Sequence, residues 1–228
     1  MPVPLTYRLR PAELDDLPDC LEIDSSYITT QVWQIAEQFV EEDDLAENNS
    51  PTPRNRPRIM GKPEKRGVNS FQVGFNLSRL PRPLAVPSPW TEEQLLAEWK
   101  RTDFLLVAEA YDDSPAESPE GLTVEARREI IGYTGVTVDG PRHLAWITSG
   151  GVQIDYRRRG IGQAMLSEAR RWADRYRLRS LMIELQTKNY PAIDFVQQNG
   201  FYFCGYNNSY YSSREIALFF ALRLEKPL

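Results

Sequence analysis

Residues 154–164 read IDYRRRGIGQA, three arginines running into Gly160-Ile161-Gly162. The segment before them, HLAWITSGGVQI, is an apolar, β-prone run that reads as a strand. After them Ile161, Met165, Ala169, Trp172 and Tyr176 recur at helical spacing, with arginines and glutamates between. SLMIELQ (180–186), after the helix, is strand-like, which makes one strand-helix-strand crossover. The junction also gathers unpaired N–H groups at a helix N-terminus, where the dipole favours negative charge. Two readings fit. One is a backbone nest for a pyrophosphate, with Arg157, Arg158 and Arg159 adding charge-assisted contacts. The other is a tight turn with a solvated basic rim. A dinucleotide fold is disfavoured, because Met165 stands where a third glycine belongs and hairpins precede the turn.

Composition narrows the classes. The 228 residues carry 27 Lys and Arg against 32 Asp and Glu, so the net charge is −5 and a general nucleic-acid binder is not expected. The balance is compatible with a cationic small molecule. Cys20 and Cys204 are too few for a disulfide framework and read as buried thiols of a cytoplasmic protein. The start, MPVPLTYRLRP, lacks the apolar core of a signal peptide, and no run reaches the length of a membrane span. One histidine, His143, makes a histidine-based metal site or a Ser-His-Asp triad a poor expectation, and none is assigned.

The punctuation predicts a mixed α/β (α+β) protein with a mostly antiparallel sheet, flanking helices and one strand-helix-strand crossover. TYRLR (6–10) reads as a strand, and Asp15 as the cap of a helix that turns Leu14, Leu17 and Leu21 inward. VWQIAEQFV and SFQVGFNL are strands flanking a loop at 41–67; a second loop covers 112–128. Both loops are expected to be mobile excursions of a single domain spanning 1–228, with the acidic run Glu41 to Asp44 solvated. Thr91-Glu92-Glu93-Gln94 is a capping box opening a helix with Leu95, Leu96 and Trp99 inward. FLLVAEAY and REIIGYTGVTV are strands. Asn189 caps a short helix with Pro191 in its first turn and Gly200 at its end; FYFCGY and EIALFFALRL close the chain as strands.

Arg157, Gly160 and Gly162, then a strand, then Asn189, Ala192 and Ile193, then Gly200-Phe201, form an order that resembles the GNAT superfamily of acyl-coenzyme A dependent N-acetyltransferases. That likeness covers roughly residues 104–224. A longer one, carried by EIDSSYITTQVWQI, NYPAIDFVQQNGFYFCG and EIALFFALRL, is to the streptothricin acetyltransferases, which acetylate a lysine-like amine on an antibiotic. The resemblance implies the GNAT fold with splayed central strands, and acetyl-CoA as the acyl source. It implies that Val152 and Ile154 pair with the pantetheine arm. The backbone of Arg158, Arg159, Gly160, Ile161, Gly162, Gln163 and Ala164 would then hold the pyrophosphate. Asn189 would face the thioester end, flanked by Ala192 and Phe195.

The proton-handling groups depart from the common pattern. Many relatives place a carboxylate just before the cofactor-binding residues, where this chain has Ser149-Gly150-Gly151. Glu184 is the candidate base: its place resembles the proposed base of the ribosomal-protein alanine N-acetyltransferases. Alternation sets Met182, Glu184 and Gln186 on one face of a strand, and an unpaired Glu among apolar neighbours is costly. A structural carboxylate holding an arginine or an N–H is the alternative. Val196 occupies the usual place of a tyrosine acid, leaving Tyr211 as the candidate donor and Tyr210 beside it for substrate. Val152 N–H is the candidate oxyanion donor. Asp24 and Tyr27 are candidates to meet a cationic amine, Asp24 reading equally well as turn punctuation. Trp33, Trp90, Trp99, Trp146 and Trp172 are core or pocket-wall aromatics.

The expected activity is therefore acetyl transfer to a primary amine of a small cationic molecule such as a streptothricin-like antibiotic, by a cytoplasmic antibiotic-resistance enzyme. The expected state is monomer or homodimer, with neither nucleic-acid nor membrane partners. A protein N-terminal acetyltransferase and a non-catalytic acyl-CoA binding module are the alternatives.

Overall fold

A computed structural model describes residues 5–40, 70–111 and 128–224. The two loop expectations, and Glu41 to Asp44, lie outside the described residues except for Arg128, which begins a strand. The strands are β1 (Tyr7–Pro11), β2 (Tyr27–Val40), β3 (Ser70–Val86), β4 (Phe104–Tyr111), β5 (Arg128–Asp139), β6 (Leu144–Val152), β7 (Ser180–Gln186), β8 (Tyr202–Asn207) and β9 (Ala217–Arg223). The α-helices are α1 (Leu17–Glu22), α2 (Glu92–Trp99), α3 (Ile161–Arg175) and α4 (Tyr190–Gln198). Seven strands form one sheet in the order β1-β4-β5-β6-β7-β9-β8, and β2 pairs with β3 in a separate ribbon. Every neighbour in the large sheet is antiparallel except β6 and β7, which α3 joins as the expected crossover.

Two apolar layers hold the sheet. Ala169, Trp172 and Ala173 of α3 pack with Ile193 and Val196 of α4 and with Leu181, Leu185, Leu218 and Phe220 of the sheet. Trp172 stacks on Phe104 with ring centroids 5.0 Å apart. On the opposite face Cys20 and Ile23 meet Leu95 and Trp99 of α2 and Val107, Ile130 and Tyr133 of the sheet, and a third cluster joins Ile161 and Met165 of α3 to Leu106, Ala108 and Ile131. The capping box of α2 is present: Thr91 Oγ1 accepts from Gln94 N–H (3.3 Å) and Gln94 Oε1 accepts from Thr91 N–H (3.1 Å). Thr91→Ala removes one of these bonds and is expected to cost about 1 kcal/mol, read as a lower urea midpoint at unchanged slope.

Several local expectations are corrected. Leu14 is 83% exposed, because a 3-10 turn (Leu14–Asp16) precedes α1. Asp16, not Asp15, closes the capping interaction, accepting from Glu13 N–H at 2.7 Å. Tyr176 lies past the end of α3 and is 63% exposed, although its ring leans on Trp172 at 4.6 Å. Cys20 is buried as expected, whereas Cys204 is exposed on β8, the edge strand. The ribbon is longer than anticipated. Pro81 and Pro83 lack N–H groups and fall where the β2–β3 ladder slips between Thr29 and Gln31, so pairing resumes beyond them at Thr29 and Leu84. Trp33 N–H donates to the Thr187 carbonyl at 3.0 Å, anchoring the ribbon at the end of β7.

Candidate active site

The large sheet opens at its centre. β6 and β7 pair only from Leu144 with Ser180 to Ile147 with Ile183. Beyond that point β6 continues along β5 to Val152 with Gly132, while β7 continues along β9 to Gln186 with Ala217. The facing edges of Thr148–Val152 and Glu184–Gln186 are left without each other. A bulge falls at the apex: Ile147 pairs with Val136 and Ser149 with Gly135, so Thr148 is the extra residue.

Past Val152 the chain makes a 3-10 turn (Ile154–Tyr156) and not continued strand. Ile154 is therefore off the strand edge assigned to it, with its side chain 51% exposed. Arg158 (φ 64°) and Gly160 (φ 83°) take left-handed backbone that turns the chain into α3. Ala164 N–H reaches the Gly160 carbonyl at 3.0 Å, so the N–H groups of Ile161, Gly162 and Gln163 have no partner within the helix. Ile161 itself is buried and offers only its backbone. The three arginines differ. Arg157 points back into the protein, donating to the carbonyls of Val152 (2.8 Å), Ser26 (2.9 Å) and Asp24 (2.5 Å). Its guanidinium is a clasp between β6 and the turn before β2, where a charge-assisted contact to an anion was expected. Arg159 rests over the Tyr156 ring at 5.6 Å, and Arg158 is exposed.

Gly162, Val152 and Phe195 are brought together. A Cβ on Gly162 would stand 3.4 Å from the Phe195 ring and 4.0 Å from the Val152 side chain. Asn189 spends its Oδ1 on capping α4, accepting from Ala192 N–H at 3.2 Å. Ala192 and Phe195 are part-buried beside the α3–α4 core.

On the α2 side of the apex lies a cleft of about 350 Å³ lined by Trp90, Glu98, Trp146, Thr148, Glu184 and Tyr210 among others. Burial holds the Glu184 carboxyl above the usual range; a hydrogen bond from Tyr210 opposes this, and the charge of Glu98 adds to it. Burial and the Glu184 bond push the Tyr210 phenol up to about 12. Tyr211, edge-on to Tyr210 at 5.2 Å, is raised further by burial, then by Glu184, Tyr210, Glu215 and Tyr27. Tyr27 is raised by burial and Glu215, and its buried hydroxyl has no partner among the described residues. Glu215 is satisfied by Gln186, Lys188 and Ser213.

The structure thus gathers Glu184, Tyr210 and Tyr211. It does not bring Asp24 to them: that exposed carboxylate closes a turn on Ser26, accepting from its N–H (2.7 Å) and hydroxyl (2.8 Å), which hold it below the usual range. Nor does Val152 reach the apex. Four residues at about 3.3 Å each place it roughly 13 Å along β6 from Thr148, so the backbone of Thr148–Gly150 is better placed for an oxyanion near Glu184. Glu98 and Thr148 were not legible as site residues, since helix packing and a strand bulge bring them to the cleft; Trp90 and Trp146 are walls, as their class implied. Among the described residues no group of three or more His, Cys, Asp or Glu could hold a metal ion, and no helix is long and apolar enough to cross a membrane.

A mostly antiparallel sheet split at one parallel crossover, with a glycine turn opening the crossover helix, defines a class. Residues 86–201 match the model of the acetyltransferase (GNAT) family, just over half the chain, and the protein belongs to that family: it is an acyltransferase. Among solved structures it is similar to nourseothricin acetyltransferase (TM-score 0.65, 19% identity, 96% of this chain and 99% of that one). It is also similar to a Bacillus anthracis str. Ames protein assigned as a streptothricin acetyltransferase, in complex with acetyl coenzyme A (TM-score 0.61, 19% identity, 96% and 98%). A third is the ribosomal-protein-S18-alanine N-acetyltransferase from Escherichia coli (TM-score 0.55, 14% identity, 98% and 97%). At such identities these likenesses speak to the fold. No curated protein sequence matches the chain significantly.

Proposed function

We propose that the protein, working as one domain in the cytoplasm, transfers the acetyl group of acetyl-CoA to a primary amine of a small cationic molecule of streptothricin type. The single observation that carries this is the meeting, at the apex of the split sheet, of a part-buried carboxylate with two parted strand edges, of which β6 leads to a glycine-opened helix. The residues present fit the cofactor. The unpartnered N–H groups of Ile161 to Gln163, with Arg158 and Arg159 at the rim, suit a diphosphate. The free edge of β6 suits the amides of an extended arm, and Phe195 and Ala192 flank it. Acetyl-CoA supplies an activated acyl carbon and a sulfur leaving group.

Glu184 accepts the amine proton as the nitrogen–carbon bond forms and the carbon–sulfur bond breaks. Its raised affinity for protons makes it a better base than an exposed carboxylate. Backbone N–H groups of the Thr148–Gly150 segment meet the oxygen of the acyl group, and Tyr211, which keeps its proton at neutral pH, or solvent returns a proton to the sulfur. Glu98 and the faces of Trp90 and Trp146 suit a cationic acceptor.

Two measurements test this. Acetyl-CoA and CoA at about a hundred times Kd, but not NAD, are expected to raise the melting temperature by several degrees. Thiol release from acetyl-CoA is expected to depend on the added amine. No thermal response to either CoA species would remove the reading; response without release on any amine would leave a binding module.

A further inference from the structure

We infer that Thr148 touches the acceptor: its hydroxyl takes a hydrogen bond from the reacting amine and aims the nitrogen lone pair at the acyl carbon, while Glu184 takes the proton. This rests on the acetyl-transfer reading above. Three observations carry it. The parallel ladder stops at Ile147 with Ile183, so Thr148 and Glu184 are the next residues of the two strands, and both line the cleft at the apex. Thr148 is the bulged residue, and a bulge re-aims a side chain where a ladder ends. Its Oγ1 is buried and has no hydrogen-bond partner among the described residues, although the residue lines the same cleft as Glu184, Trp146 and Tyr210.

An unpartnered buried hydroxyl is unfavourable in the free protein. One χ1 step exchanges the methyl and hydroxyl positions of a threonine and turns the oxygen to a ligand in the cleft. The neighbouring Ser149 hydroxyl is also unpartnered but is turned onto Gly135, where a Cβ would stand 2.6 Å from it, and it does not line the cleft. The step balances without a further reactant. The amine nitrogen bonds the acyl carbon, the thiolate departs, the ammonium proton passes to Glu184, and Thr148 Oγ1 only accepts a hydrogen bond.

Thr148→Val keeps the shape and removes the oxygen; Thr148→Ser keeps the oxygen. The valine variant is expected to melt no lower than the parent and to keep the acetyl-CoA thermal shift. Its kcat/KM for the amine should fall about tenfold, the loss of one hydrogen bond, and the serine variant should restore most of it. Parent-like kcat/KM in the valine variant overturns the assignment. So does a valine variant that melts markedly lower, which would make the hydroxyl structural, or one that loses the acetyl-CoA shift, which would tie the residue to the cofactor. A parent protein that binds acetyl-CoA yet acetylates no amine overturns the transfer reading and this with it, and the parent assay alone tells that case apart.

Discussion

Glu184→Gln is expected to lower kcat/KM for the amine about a thousandfold while leaving acetyl-CoA binding in place. Removing a positioned general base costs about a hundred- to ten-thousandfold, and no other carboxylate on the described part of β6 or β7 can take the proton, since Ser149-Gly150-Gly151 carries none. The pH profile carries a signature. Burial raises the carboxyl, Tyr210 donates to it, and Glu98 and Tyr211 face it. The base works only when ionised, so activity must fall as pH drops through that raised pKa. The acid limb should therefore sit above the usual ~4.3 of a glutamate. Stability runs the other way. A carboxyl that holds its proton more tightly folded than unfolded opposes folding when charged, so its contribution improves as pH falls through the folded pKa. The glutamine variant should then melt at or above the parent near neutrality. An active glutamine variant would send the proton elsewhere; an inactive one that melts well below the parent would make Glu184 structural.

The second large effect is on stability alone, far from the cleft. Glu109 is 2% exposed inside β4, facing Arg8 across the β1 ladder. Arg10 donates to Asp16 through both Nη atoms (2.6 and 2.7 Å) and reaches Glu109 at 3.3 Å, while Arg8 Nε also bonds Glu109. The Arg10 fork holds Asp16 below the usual range. For Glu109 burial acts to raise the carboxyl, but hydrogen bonds from Arg10 and then Arg8 prevail and lower it. Arg10→Met leaves Asp16 without its counter-ion and Glu109 with one of two, and is expected to cost about 3–5 kcal/mol at pH 7. Both carboxyls have depressed folded pKa values, so the stability they lend is present above their unfolded values and is lost as pH falls through the folded ones. Urea melts of parent and variant should therefore differ most near pH 7 and draw together as pH falls below the ordinary carboxylate range. A pH-independent gap would show that packing of the arginine stem, not charge, is at stake.

Much of this was legible in the chain. Local rules act over three or four residues, so the capping box at Thr91, the Asn189 cap with Pro191 behind it, and the helical stripe from Ile161 to Trp172 were readable and appear in place. The stripe failed only at Tyr176, one residue beyond the helix, where the ring meets Trp172 but stays 63% exposed. The order from Arg157 to Phe201 sufficed for the family, because a glycine turn and a crossover helix are consecutive in sequence.

Side-chain destinations were less legible. Arg157 sits among arginines and looks like an anion ligand, yet carbonyls more than 120 positions away claim its fork. Asp24 looks like a cation ligand but is consumed by its own turn. Glu184 could be placed on a face of a strand by alternation; its company of Glu98, Thr148 and Tyr210 could not, since it is set by where a ladder between distant strands stops. The chain by itself determined α2, α3 and α4, the turn and the family, all products of neighbouring residues. Tertiary structure alone decided which polar groups are spent on the fold and which stay free, because every donor goes to whichever acceptor folding brings within about 3 Å.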